Sequence, residues 1–190
     1  MKTKIKIPFL QEIKIPVNVE IIKESNYLKI KGPLGSTKFS LKNLDKKGIS
    51  DITVKLSLMD NVNKISRYIL SSHSKLFSRT FCSILKQKIE GVTRGFLINL
   101  RIVGIGNKAT LENQTLTFKL GFSHDIKYQV SNSLRVFLLE PTLICLYGIE
   151  KNQITETAAK IKNLKLPESY KGKGVRLSEE IILLKQGKRK

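Results

Sequence analysis

Two cysteines and two histidines are all that the 190-residue chain offers to thiol or metal chemistry. Cys82 and Cys145 stand apart, in no CxxC pair and no zinc-finger spacing, and each falls in an apolar run. That pattern predicts two buried free thiols rather than a disulfide. Two histidines cannot build a metal cluster alone, and no metal or other cofactor is expected. Long hydrophobic runs are missing too. The longest are strand-sized, far short of the roughly 20 residues that span a bilayer. With no amphipathic anchor and no lipidation signal, a membrane anchor is excluded. Acidic residues are scarce. There are 15 Asp and Glu against 35 Lys and Arg, a formal charge of +20. Self-repulsion at that level costs stability, and a polyanion relieves it. Nucleic acid is therefore the expected partner.

The opening MKTKIKIPFLQEIKIP is positive but has no apolar secretory core and no small-residue cleavage site. Glu12, Pro8 and Pro16 interrupt any amphipathic presequence. The expectation is a protein that stays in the compartment where it is made.

Catalytic patterns are equally thin. GIGNKA, Gly104 to Ala109, follows a strand and fits G-x-G-x-x-A, with Asp125 placed for a ribose. A dinucleotide site needs a helix N-terminus right after the glycines to hold the pyrophosphate. A β-like hairpin pattern follows instead, so a bend or bulge is expected at Gly104 and Gly106, and they could let backbone approach a partner closely. Ser123, His124 and Asp125 are triad residue types, but consecutive residues seldom converge on one reacting atom. No phosphate-cradling GxxxxGK[ST] loop occurs, and Glu179 and Glu180 read as a tail feature. The chain is expected not to be an enzyme. The alternative is a nucleotide-dependent enzyme using the Gly104 region.

Alternation predicts strands in VNVEIIKES, YLKIK, TKFSL and DITVKLSL, with turns at Asn26 and GPLGS, and an antiparallel sheet with one wet face. The period then changes. Ile65, Tyr68, Ile69, Leu76, Phe77, Phe81, Ile84, Leu85 and Ile89 put one apolar stripe on a helix from Asn61 to Ile89, ended by Glu90 and Gly91. Its wet face carries Lys64, Arg67, Lys75, Arg79 and Lys86, with His73 on the surface. Strands return in LINLRIVGIG, in a hairpin around Asn113-Gln114, and in DIKYQV, SLRVFLL and TLICLYG. NQITETAAKIKNLKL reads as a helix with Asn152 as N-cap and Pro167 as its stop. Strands then helix, twice, predict an α+β fold of two tandem similar domains, each an antiparallel sheet covered by one helix. The expected boundaries are a basic N-terminal segment at 1–16, domains at 17–91 and 92–166, and a basic C-terminal extension at 167–190.

That extension opens on PESYKGKGVR and closes on KQGKRK. From Lys171 to Lys190 there are seven Lys or Arg and two Glu. Lys171, Lys173, Lys185, Lys188 and Lys190 can meet phosphates as point charges, and Arg176 and Arg189 with two donors each. Gly172 and Gly174 remove bulk and could bring amide donors near phosphates. Tyr170 could stack on an exposed base or pack under the last helix. Charge repulsion and few apolar anchors predict a tail disordered when free. No helix-turn-helix, zinc finger, basic zipper or aromatic strand pair is present. The pattern suits phosphate and shape recognition of structured RNA.

PESYKGKGVR also resembles the C-terminal motif of a known family, the sixth protein of the large ribosomal subunit (the L-six family, bacterial and organellar type). IKGPLG at 30–35, IEGVTRGF at 89–96, LRIVGIGNKA at 100–109 and LGFSH at 120–124 resemble its other segments, in order, over almost the whole chain. Asn107 stands where the family usually has Tyr, and the opening MKTKIKIPF departs from the family's start. The resemblance implies two similar α+β domains, a non-enzymatic role in the large subunit, and a monomer within the ribosome. It implies contact with large-subunit ribosomal RNA near the translation-factor region and the sarcin-ricin loop, with neighbouring ribosomal proteins and translation factors close by. It carries Tyr170, Lys171, Gly172, Lys173, Gly174 and Arg176 over as RNA contacts, and Gly104 and Gly106 as a bend near RNA. The remaining alternative is a structured-RNA-binding protein outside the ribosome. A lean to Lys, Ile, Asn and Leu suits an A+T-rich genome. It points to a mitochondrion, with the cytoplasm of an A+T-rich bacterium or a plastid as the alternative.

Overall fold

A computed structural model describes residues 9–24, 27–40, 53–58, 66–72 and 75–187. The expectations placed on Asn26, Lys64, Ile65, His73, Lys188, Arg189 and Lys190 lie outside the described residues. The chain falls into two compact units, Met1–Gly95 and Phe96–Lys190.

The first unit holds strands β1 (Phe9–Ile15), β2 (Glu20–Lys23), β3 (Tyr27–Gly32), β4 (Gly35–Ser40), β5 (Thr53–Leu58) and β6 (Ser66–Ser72), then helix α1 (Lys75–Thr93). β2, β3 and β4 form an antiparallel meander, and β1, β6 and β5 a second antiparallel sheet with β6 central. Alternation works as expected in the meander. Leu28, Ile30, Thr37 and Phe39 are buried, while Tyr27, Lys31, Ser36 and Lys38 are exposed. Phe81, Leu85, Ile89 and Val92, three or four residues apart on α1, are buried, and α1 packs on strands of both sheets. The Phe39 and Phe81 rings meet at 5.5 Å between centroids and are tilted, a favoured aromatic geometry.

Two expectations are corrected here. The helix expected from Asn61, itself outside the described residues, does not run through 66–72: Ser66–Ser72, with Arg67, Tyr68 and Ile69, is strand β6. A short apolar run reads either way locally, and here the ladder to β1 and β5 decides it. Phe9–Ile15, within the basic N-terminal segment, is the strand that pairs with β6 from Phe9↔Ser72 to Ile15↔Ser66. The helix also continues past Glu90 and Gly91 to Thr93.

The second unit holds β7 (Phe96–Val103), β8 (Lys108–Glu112), β9 (Thr115–Lys119), β10 (Ile126–Gln129), β11 (Leu134–Glu140), β12 (Leu143–Gly148), α2 (Lys151–Leu164) and β13 (Gly174–Leu177). The β8–β9 hairpin turns at Asn113, whose φ of 55° suits a two-residue hairpin turn. β8, β9 and β10 form a meander, and β11, β12, β7 and β13 form an antiparallel sheet in that order. One core joins them. Leu100, Ile102, Ile144, Leu146 and Val175 from the four-stranded sheet pack with Leu116 and Phe118 from the meander and Ile154, Ala158 and Ile161 from α2. Glu150, not Asn152, takes the N-cap position of α2, in extended conformation. The helix ends with extended Lys165, two residues before Pro167.

The described residues thus make an α+β fold of antiparallel sheets and helices. They form four sheets in all, where one sheet per domain was expected. Cys82 and Cys145 are free and buried. Burial pushes both thiols up, and Lys86 partly offsets this at Cys82. No helix among the described residues is long and apolar enough to cross a membrane.

Candidate nucleic-acid interface

The basic motif is held by folded structure on both sides. After α2 the chain makes a tight loop, in which Gly172 donates its N–H to Glu168 O at 2.9 Å and Glu168 donates to Lys173 O at 2.9 Å. The chain then enters β13, where Gly174 pairs with Val103 and Arg176 with Arg101. Val175 is fully buried, and its N–H reaches Lys165 O at 2.8 Å. The expectation of a disordered tail is corrected for Gly174–Leu177, because an edge-strand ladder and one core valine anchor it.

The glycines acquire a different reason. Gly174 has φ +140°, and a Cβ there would lie 2.6 Å from Leu166 O and 2.8 Å from Pro167 Cα. It is glycine because the loop closes back on the end of α2. The Gly172 amide is spent inside the loop, and both glycines are buried. What the loop presents outward is side chains. Tyr170 is 56% exposed, so it does not pack under the helix. Lys171 and Lys173 are exposed, Arg176 is partly exposed on the strand, and Lys185 is exposed further on.

Two other segments come to the same end of the unit. Gly104, with φ +138°, follows Val103, and Asn107 folds back over this bend. Its Nδ2 donates to Val103 O at 3.0 Å, and its backbone N–H to Gly104 O at 3.3 Å. Asn107 is itself buried. No helix follows Gly106; β8 does, which removes the pyrophosphate seat of the dinucleotide reading. In the Leu120–His124 turn, Lys165 Nζ donates to Leu120 O and sits 5.4 Å from the Phe122 ring centroid. Lys165 is therefore a structural clamp between this turn and the root of the motif. Ser123 Oγ lies 3.4 Å from His124 Nδ1, both exposed, and Asp125 is exposed beside them. No group of three potential ligands for a metal occurs among the described residues.

Glu180 was missed as more than a tail residue. Its Oε1 lies 2.6 Å from Lys162 Nζ on α2, and its Oε2 accepts the Leu177 N–H at 3.3 Å. The hydrogen bond from Lys162 holds the Glu180 carboxyl below the usual range, against the opposing effect of burial. A lowered carboxyl pKa contributes stability above the unfolded value, about 4.3, and loses it as pH falls through the folded value. Glu180→Gln should loosen β13 at neutral pH by up to about 1 kcal/mol. Amide exchange at Leu177 checks this: it should quicken in the variant and, in the parent, quicken on acidification.

The sequence comparisons agree with this layout. The family model described as Ribosomal protein L6 matches residues 103–177, which run from the end of β7 to the end of β13. The chain is 40% identical to the large ribosomal subunit protein uL6m of Prototheca wickerhamii, over 94% of this chain and 95% of that protein. It is 35% identical to the large ribosomal subunit protein uL6 of Mycoplasmoides gallisepticum, over 93% and 92%. With the uL6 of Thermosipho africanus it shares 34% identity, over 93% and 95%. All three are named as proteins of the large ribosomal subunit. The chain belongs to the ribosomal protein L6 family, with a non-catalytic ribosomal role in binding ribosomal RNA beside other ribosomal proteins.

Proposed function

We propose that this protein is a structural constituent of the large subunit of the mitochondrial ribosome. In this reading it binds large-subunit RNA through Tyr170, Lys171, Lys173, Arg176 and Lys185, with Lys188, Arg189 and Lys190 continuing the basic run. The bend at Gly104 and Gly106 brings backbone close to the same RNA. The contact lies near the translation-factor region and the sarcin-ricin loop, so that the protein supports subunit assembly and stands close to translation factors.

One observation carries the reading: a loop closed by hydrogen bonds between Glu168, Gly172 and Lys173 holds a tyrosine and two lysines outward. Exposed cations on a fixed loop meet phosphates with little ordering cost. The chain is proposed as two similar domains, 17–91 and 92–166, with the N-terminal segment 1–16 and the extension 167–190 flanking them. The matching pairing orders β1-β6-β5 and β7-β12-β11, each with a three-stranded meander and a following helix, support two similar domains, although β1 of the N-terminal segment and β13 of the extension pair into their sheets. Sedimentation of organelle lysate at high salt tests the assignment. The chain should co-migrate with the large subunit; a chain that stays free would contradict it.

A further inference from the structure

The four-stranded sheet has a second face. Leu100, Ile102, Ile144, Leu146 and Val175 point into the core. Strand alternation therefore puts Arg101, Arg135, Phe137 and Arg176 on the opposite side, while Leu139 sits at a bulge in β11. Arg101 and Arg135 are exposed, Phe137 is 48% exposed and Leu139 67%.

Across this face, Arg176 on β13 stands directly opposite Arg101 on β7. Like charges at directly opposed positions destabilise a sheet. Glu180 relieves this only in part, since the attraction of Arg176 is the last of the effects that lower its carboxyl. Its carboxylate is engaged by Lys162 and the Leu177 amide. Glu140, at the end of β11, accepts a hydrogen bond from Thr142. Arg176 Nε is buried from solvent and has no hydrogen-bond partner, an expensive state for a charged donor.

We infer that RNA lies across this open sheet face, with one backbone phosphate seated between Arg101 and Arg176 and an unpaired base against Phe137. The inference rests on the proposed RNA-binding role and extends it from the loop onto the sheet. Charge complementarity selects the occupant: two opposed guanidinium groups offer planar, multiple donors to one phosphate. The half-exposed aromatic two positions after Arg135 on β11 supplies a stacking surface. The face is continuous with the loop, because Arg176 is only three residues from Lys173.

The test uses the full-length chain and a large-subunit RNA transcript, titrated over a series of salt concentrations. Arg101→Gln should lower affinity about tenfold and reduce the salt slope by about one unit. Its free-state melting temperature should equal or exceed that of the parent, because the like-charge opposition is gone. Arg101→Lys should restore the salt slope. If Arg101→Gln binds as the parent does while Lys171→Ala/Lys173→Ala binds weakly, the sheet-face inference fails and the loop reading stands. If both variants bind as the parent does, both readings fail. If Arg101→Gln binds RNA normally but no longer enters the subunit, the face belongs to a neighbouring protein and the inference is overturned.

Discussion

Gly174→Ala is expected to be the most damaging single-methyl change in the second unit. The added Cβ has two faults at once. It imposes a side chain on a backbone at φ +140°, and it lands 2.6 Å from Leu166 O and 2.8 Å from Pro167 Cα, both backbone atoms that cannot swing away. Strain of the first kind costs about 1–3 kcal/mol, and forced overpacking about as much again. A domain holds only about 5–15 kcal/mol in total. The result is a drop in melting temperature on the order of 10 °C or more, accompanied by release of β13 from β7 and exposure of Val175. Gly187→Ala is the matched control, since a Cβ there meets nothing within 4 Å. Thermal melting and limited proteolysis of the two variants side by side check this. Equal stability of the two would show that the loop is not closed as described.

Lys171→Ala/Lys173→Ala is expected to have the opposite profile. Both side chains are exposed on the loop, so the free chain should melt as the parent does. Each lysine that meets a phosphate adds about one unit to the salt slope, so the slope should fall by about two. At fixed salt, affinity should fall on the order of tenfold to a hundredfold. The loss should be uniform across RNA sequences, because phosphate contacts carry position rather than base identity. The pair of variants thus separates the two parts of the motif: Gly174 holds the loop, and the lysines use it. Unchanged affinity in the double lysine variant would remove the motif from the interface.

How much of this was legible beforehand depended on the range of the interaction. Local signals worked. Alternation found β2, β3, β4, β5 and every strand from β7 to β12, Asn113 marked its hairpin, and the stripe from Phe81 to Ile89 marked α1. Long-range pairing was not legible. β1 is spread among charges, and only its ladder to β6, more than 50 residues away in the chain, makes it a strand. β6 itself carries Tyr68 and Ile69 at a spacing that extends the stripe of α1, so it read as helix until its neighbours on both sides were known. The same limit applies at the motif. Residue types showed a basic, glycine-spaced stretch, but not that Gly174 closes against Leu166 and Pro167. Glu180 read as part of a tail because its partner, Lys162, is 18 residues back on α2. Arg101 was not singled out at all. Its signal is the register that sets it opposite Arg176, and register is a property of paired strands.

The measurement that bears most directly on the central claim is protein–RNA crosslinking on native large subunits from the organelle, mapped to single residues on both sides. Crosslinks are expected from Tyr170, Lys171 and Lys173 into large-subunit RNA, close to the sarcin-ricin loop. Subunits that contain the chain but crosslink to RNA only through residues outside 170–176 would contradict the claim.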